Sequence, residues 1–421
     1  MKSKINVGVI FGGRSVENEI SVLTAIQTME AINTEKYDIT PIYISKEGRW
    51  YTGEALRTSA NYKNMESLYK ACTEVYLRPT YGDNNLYKVK KPLFGSDIVT
   101  KLDVIIPALH GTNCEDGSFQ GTIEMTGIPY ASCNVLASAN GMDKITMKMI
   151  LKECDIPVVD YVWFTDGQWF SQRDELINKI ETKIGYPVIV KPANLGSSVG
   201  IGKASNREEL IERVNHAEKF SQRIIVEDMI EQLQEINCSV LGDADDHQSS
   251  VCEEPIKTGD FLSYEDKYMG GSKSTKGMQA SEKRIPADLP TEISEKIRHM
   301  AGETFRVLSC HGVSRIDVMI DRKDNSIYVN EINTIPGSLS FYLWEYSGIS
   351  FTALVDRLIE IALRRKQDAG FKAVNYGENI FAAKGTGGAK TGGKFGGKGN
   401  NLFHAKFHRF LHDKLVFIGV F

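Results

Sequence analysis

The sequence predicts an α/β protein, doubly wound in its N-terminal part and α+β in its C-terminal part. Three observations carry that expectation. The chain opens with an apolar run, INVGVIF (5–11), a Gly12-Gly13 turn, an apolar-striped helix from near Glu19, and a second strand-like run, YDITPIYIS (37–45). That order is the opening of a doubly wound sheet, in which ligands gather at the carboxyl ends of the strands. A further buried strand, LDVIIPALHG (102–111), runs into GTNCEDGSFQG, a loop rich in glycine and acids. Late in the chain, residues 312–337 read as two strands around a polar turn. Ile316, Val318 and Ile320 alternate with Asp317, Met319 and Asp321, and Ile327, Val329 and Glu331 follow, the period of a half-buried hairpin.

At 421 residues the chain exceeds one ordinary core and implies two or three domains. Its 42% hydrophobic and 25% charged residues are those of a water-soluble globular protein. No run approaches the ~18 apolar residues of a membrane span. The start, Met1-Lys2-Ser3-Lys4, leads into a strand without a cleavage-site pattern, so no signal peptide is expected. Seven scattered cysteines without a C-x-x-C pair read as reduced thiols in a cytoplasm. Residues 384–421 carry seven Lys/Arg against one acid, so the rest of the chain carries −10. An acidic body of this kind offers no nucleic-acid surface.

Between the opening and the hairpin, residues 142–151 read as a helix and Pro157 as the start of a strand. PVIVKPANLGSSVGIGKAS (187–205) reads as strand, Gly-Ser loop, strand, followed by a helix over 206–219 and by the strands RIIVEDMI and INCSVLG. Residues 258–284 form a long polar loop, the kind that serves as a lid. Amphipathic helices are expected over 290–310 and 351–365. Beyond Lys366, KGTGGAKTGGKFGGKGNN is a Gly/Lys linker before a basic Phe/His/Leu segment.

The hairpin carries the strongest chemistry. Alternation puts Arg315 and Asp317 on one face of the first strand, and Glu331 and Asn333 share a face of the second. If the strands pair, two carboxylates and an amide oxygen meet beside an arginine, a hard oxygen set that suits Mg²⁺. Taken alone, the same pattern also describes a solvated polar hairpin face. GSSVG (196–200) fits the formula of a serine-hydrolase elbow, but the intervening Pro192-Ala193-Asn194 and the extended sequel speak against it. A Gly-Ser-Ser loop between strands suits phosphate oxygens instead, with Lys191 adding charge. GAKTGGKF (388–395) lacks the hydroxyl and preceding strand of a P-loop, and G-x-G-x-x-G is absent. His404, His408 and His412 are spaced four apart but have no H-E-x-x-H carboxylate, so a zinc site is not expected.

Seven segments in order resemble the D-alanine–D-alanine ligase family of ATP-grasp enzymes. They are FGGRSVENEIS (11–21), ALHGTNCEDGSFQG (108–121), GIPYASCNVLASANGMDK (127–144), VIVKPANLGSSVGI (188–201), YEDKY (264–268), SRIDVM (314–319) and NEINTIPG (330–337). The resemblance spans residues 5 to about 365. It implies an ATP-grasp fold behind an N-terminal doubly wound pre-ATP-grasp domain. The implied parts are an α/β domain (1–135), a central subdomain (136–230), a C-terminal subdomain (231–366) with the 258–284 lid, and a tail (367–421). It implies a cytoplasmic enzyme, commonly a homodimer, that joins two D-alanines at the expense of ATP for peptidoglycan.

Residue by residue, the resemblance assigns ATP phosphates to Lys144, Lys191, Ser197, Ser198 and Lys267, and adenine and ribose to Glu227 and Glu235. Asp317, Glu331 and Asn333 would hold two Mg²⁺ ions, with Mn²⁺ a substitute. Glu17 would bind the first D-alanine's ammonium, with His110 beside the substrate, and Ser197 and Tyr268 would join Glu17 in latching the lid. Arg315 and the Gly337 N–H would stabilise the oxyanion. The chain departs from the pattern at Asn18, where the family commonly has histidine, and at Cys114, where it has glycine. Tyr342 stands where the Ser of a Ser-Leu pair binds the acceptor carboxylate, followed by Leu343, with Ser340 as an alternative. That departure leaves open an acceptor other than D-alanine, such as D-serine. A nucleotide-binding protein without catalysis is a more distant alternative.

Overall fold

The computed structural model describes residues 4–196, 199–256 and 283–372. Among these residues the strands form three sheets, each built over its own apolar face. Apolar runs bury the strands under helices, on both sides in runs such as Val104–Leu109 and Val188–Pro192.

The first sheet has the order β6-β5-β4-β3-β2-β1-β7. Its strands are β1 (Ile5–Gly12), β2 (Tyr37–Ile44), β3 (Trp50–Thr52), β4 (Thr73–Leu77), β5 (Asn85–Lys88), β6 (Ile98–Lys101) and β7 (Val104–Leu109). β1 runs parallel to both β2 and β7, as the doubly wound opening predicts. From β2 outwards the sheet turns antiparallel. That meander, over short and partly exposed strands, has no sustained apolar period and escapes the sequence reading. At the end of β1, Gly12 has φ +92°, and a Cβ there would strike the Ile44 carbonyl. Helix Asn18–Ala31 follows, and helix Phe351–Gly370 packs on the same core through Leu354, Val355 and Leu358. The C-terminal helix therefore runs past residue 366 and shares its core with the first sheet.

The second sheet has the order β10-β9-β11-β8. It is formed by β8 (Tyr161–Thr165), β9 (Val188–Pro192), β10 (Gly202–Ala204) and β11 (Arg223–Asp228), all antiparallel neighbours. The strand expected from Pro157 begins at Tyr161. Residues 142–151, expected as one helix, lie across two, Val135–Met142 and Lys144–Glu153. Asp143 separates them because its carboxylate caps the second, accepting from the Thr146 N–H at 2.8 Å.

The third sheet has the order β14-β13-β12-β15-β16. Its strands are β12 (Leu233–Gly242), β13 (His247–Pro255), β14 (Lys283–Arg284), β15 (Gly312–Asp321) and β16 (Ser326–Asn333). Its buried face packs against helix Thr291–Val307 and against Met147 and Leu151 of helix Lys144–Glu153. Among the described residues no helix is long and apolar enough to cross a membrane.

Ile316 is fully buried in this third core, whereas Ile98 on the first sheet's edge is 40% exposed. Ile316→Ala is expected to cost about 2–5 kcal/mol, and Ile98→Ala to stay within about 0.5 kcal/mol. Urea titration followed by circular dichroism reads both.

Candidate active site

The site grows from a defect in the β15–β16 ladder. Asp317 pairs with Glu331 and Arg315 with Asn333, but Val318 pairs with Val329. Asn330 is therefore an extra residue, a bulge. Strict alternation from Val329 would send Glu331 into the apolar core. The bulge instead leaves Val329 and Ile332 in the core and turns Glu331 towards Asp317.

Two carboxylates side by side repel, and cations converge on them. Arg315 donates to both Asp317 oxygens at 2.7 and 2.8 Å, a bidentate pair, and Asn333 Nδ2 donates to Asp317 at 3.1 Å. Lys144 Nζ lies 3.1 Å from Glu331. Burial alone would lower the pKa of Arg315, but the Asp317 carboxylate more than offsets it and raises it well above the usual range. Burial raises the Asp317 pKa, with Glu331 and Glu235 adding to the rise and Arg315 opposing it. The oxygen set is chemically right for a hard divalent ion. Among the described residues no three His, Cys, Asp or Glu side chains converge as a metal centre. An ion held here takes much of its shell from water and phosphate, the habit of Mg²⁺.

Behind this pair lies a buried relay. Lys144 and Lys148 are four apart, so they share one face of their helix. Lys148 is fully buried, with Nζ 3.2 Å from Glu227, whose other oxygen is 2.6 Å from Lys191 Nζ. The Lys148–Glu227 contact lacks hydrogen-bond alignment, so charge holds it. Burial pushes the Glu227 carboxyl up, but Lys148 and Lys191 pull it down to about 2. Burial lowers the Lys148 pKa, and Lys191 and Lys144 lower it further against Glu227. Lys191 is raised, since Glu227 outweighs its burial, and Glu331 and Glu235 help. Lys191 also donates to the bulged Asn330 at 3.2 Å, and Lys144 donates to the Leu195 carbonyl at 2.9 Å.

The first sheet contributes the remaining wall. Glu17 is buried at the start of helix Asn18–Ala31. Asn18 donates to the Gly13 carbonyl at 2.8 Å and accepts from Tyr43 Oη at 3.0 Å, so this departure from the family pattern braces the glycine turn. Cys114 sits 2.5 Å from where a Cβ on Gly13 would stand. His110 is buried, and its ring spans Thr24 Oγ1 at 2.8 Å and the Ile335 carbonyl at 2.9 Å. Burial lowers its pKa and keeps it neutral, with Nδ1–H donating to Ile335 and Nε2 accepting from Thr24. Thr24 Oγ1 also accepts from the Ser338 N–H at 3.1 Å. Glu115 accepts from the Gly111 and Ile335 N–H groups at 2.8 and 3.0 Å. Burial, and then the charge of Glu17, push its carboxyl up to about 8.

These bonds hold the turn after β16. Gly337 opens it, and Ser338, Leu339 and Ser340 follow with φ of 52°, 50° and 52°. Three consecutive non-glycine residues in the left-handed region are strained. Leu339 anchors them in the first core. Ser340 is fully buried, and its Oγ has no hydrogen-bond partner among the described residues. It presents no surface to a substrate. Tyr342 is half-buried and donates to Glu253 at 3.1 Å, while Leu343 is fully buried.

Of the residues singled out in the sequence, Lys144, Lys191, Glu227, Glu235, Arg315, Asp317, Glu331 and Asn333 lie together around the hairpin. Glu17, His110 and Gly337 lie at the first-sheet wall. Ser197, Ser198, Lys267 and Tyr268, most of the lid and the tail fall outside the described residues. Sequence reasoning missed Lys148, Asn330 and Glu253, and read Glu115 only as an acid in a loop after a strand. The four-residue step from Lys144 was a signal for Lys148; a bulge leaves none for Asn330.

Residues 6–133 match the D-ala D-ala ligase N-terminus family, and residues 150–360 match the D-ala D-ala ligase C-terminus family. A D-alanine–D-alanine ligase of Thermosipho melanesiensis is 40% identical over 381 residues, covering 90% of this chain and 99% of the relative. One of Acetivibrio thermocellus is 39% identical over 380 residues, covering 87% and 98%. Among solved structures, a D-Ala:D-Ser ligase from Enterococcus faecalis superimposes with a TM-score of 0.73 at 30% identity, covering 86% of this chain and all of that one. The D-alanine–D-alanine ligase from Coxiella burnetii gives 0.72 at 27% identity, covering 87% and 96%.

Glu115 sets a pH-dependent stability. The folded state keeps its proton up to about 8, while the unfolded chain releases it near 4.5. Its stabilisation is complete below pH 4.5 and lost as pH rises through about 8, with a slope of at most about 1.4 kcal/mol per unit. Glu115→Gln is expected to flatten that slope in denaturation curves from pH 5 to 8. Unchanged slopes would refute the assignment.

Proposed function

Given that the chain belongs to the D-alanine–D-alanine ligase family, we propose that it condenses two D-alanines to D-alanyl-D-alanine, with ATP converted to ADP and phosphate, for peptidoglycan synthesis. The observation that carries this reading is the facing of Asp317 and Glu331 beside Arg315 and Lys144, within a chain matched by both family halves.

A carboxylate is too poor an electrophile for amide formation, so the γ-phosphoryl group of ATP first passes to the carboxylate of the first D-alanine. D-Alanyl phosphate and ADP result. The amine of the second D-alanine then attacks the acyl carbon, and phosphate leaves. Asp317, Glu331 and Asn333 hold Mg²⁺, two ions with Mn²⁺ a substitute, whose chemistry is to neutralise charge on the transferring group. Lys144, Lys191 and the loop residues Ser197 and Ser198 bind the ATP phosphates, Lys267 reaches the γ-phosphate, and Glu227 and Glu235 take adenine and ribose. Glu17 binds the first D-alanine's ammonium beside His110, and Ser197 and Tyr268 latch the lid with it. Arg315 and the Gly337 N–H face the tetrahedral oxyanion. The lid excludes water, which would hydrolyse the acyl phosphate. The enzyme works in the cytoplasm, as a homodimer.

ADP release in Mg²⁺-ATP with D-alanine alone, matched by D-Ala–D-Ala identified by mass, is the expected result. Turnover only with a second, different amino acid would move the assignment to another acceptor such as D-serine. Arg315→Met is expected to lower kcat about 10²–10³-fold. A chain ending at Lys372 keeps the whole of helix Phe351–Gly370 and is expected to turn over close to the full-length rate, read in the same assay.

A further inference from the structure

The polar face of the third sheet does not stop at Asp317. Register carries it across two more strands: Glu331 pairs with Asp317, Asp317 with Asn237 on β12, and Asn237 with Glu253 on β13. Paired residues on neighbouring strands point to the same side of a sheet. At ~4.8 Å per strand, this row spans roughly 14 Å, room for a phosphoryl group, an acyl carbon and an acceptor in line.

Glu253 ends the row. It is 1% exposed, and a buried carboxylate needs partners. Tyr342 Oη donates to it at 3.1 Å, Asn237 Nδ2 at 3.3 Å, and Lys283 Nζ lies 3.0 Å away. The Lys283 ammonium also sits 4.0 Å from the centre of the Tyr342 ring. Arg315 and Asp317 lie within electrostatic reach of the Tyr342 hydroxyl, so the cluster adjoins the reacting centre. An ammonium has three donors, and the Lys283 side chain is 24% exposed, so among the described residues it keeps N–H groups for a second anion. An acceptor amino acid whose amine attacks an acyl carbon held beside Arg315 sends its carboxylate away from the phosphoryl charge, along this row.

We propose that Glu253 is the positioning residue of the acceptor end: it holds the Lys283 ammonium and the Tyr342 hydroxyl, and Lys283 binds the carboxylate of the second amino acid. The proposal rests on the ligase reading above. It gives Tyr342 a task, since the hydroxyl fixes Glu253 and the ring fixes the ammonium.

Initial rates of ADP release over a wide range of D-alanine concentration yield separate Michaelis constants for the two substrates. Glu253→Gln and Lys283→Met are each expected to raise the second constant at least about tenfold and to leave the first unchanged. Lys283→Arg should recover part of the loss. Tyr342→Phe, which keeps the ring, should raise the second constant less than Lys283→Met does. If Glu253→Gln does not fold, the part-exposed Lys283 variants decide. Equal rises in both constants, or a fall in kcat with both constants unchanged, would overturn the proposal while wild-type turnover leaves the ligase reading standing. No D-Ala–D-Ala from the wild type would overturn both.

Discussion

Charge balance at Asp317 and Glu331 is the constraint on which the rest of the site depends. Two part-buried carboxylates on facing strands repel one another, and removing them from water makes the repulsion worse. Each therefore recruits a cation, and each cation comes from a different place. Arg315 comes from the same strand, two residues away. Lys144 comes from the start of helix Lys144–Glu153, and its backbone N–H bonds the Ala193 carbonyl at the end of the second sheet. Lys191 reaches the same hairpin through Asn330 and is tied to Lys148 by Glu227. This pair of acids thus draws cations from two sheets and a helix to one place, and Glu227 behind it is what makes a lysine as deeply buried as Lys148 tolerable.

The same economy appears at the first-sheet wall. The strained turn at Ser338–Ser340 could not persist on local preference. His110, Thr24 and Glu115 hold it by three backbone groups, the Ile335 N–H and carbonyl and the Ser338 N–H. Thr24 and His110 are buried and Glu115 is part-buried, so these bonds are made in a setting where an unmade one is costly. The turn leads from Gly337 to Tyr342, whose hydroxyl lies within electrostatic reach of Arg315. With Ser340 enclosed, the proposed acceptor end draws instead on Glu253 of β13 and Lys283 of β14.

Much of the chemistry was legible in the sequence because it is local. The parallel β1–β2 unit, the hairpin, and the facing of Arg315, Asp317 and Asn333 follow from apolar periods and from the two-residue alternation of a strand. What the sequence alone could not decide is what depends on distant segments. The Asn330 bulge turns Glu331 out of the core, yet an unpaired strand carries no mark of a bulge. Lys148 reads as an ordinary helix lysine until Glu227, seventy-nine positions later, is seen against it. Glu253 reads as one acid in a polar run until four strands align. The antiparallel meander of the first sheet and the docking of helix Phe351–Gly370 on its core were likewise decided by tertiary burial. Periodicity says which side of an element is apolar; only packing says which partner covers it.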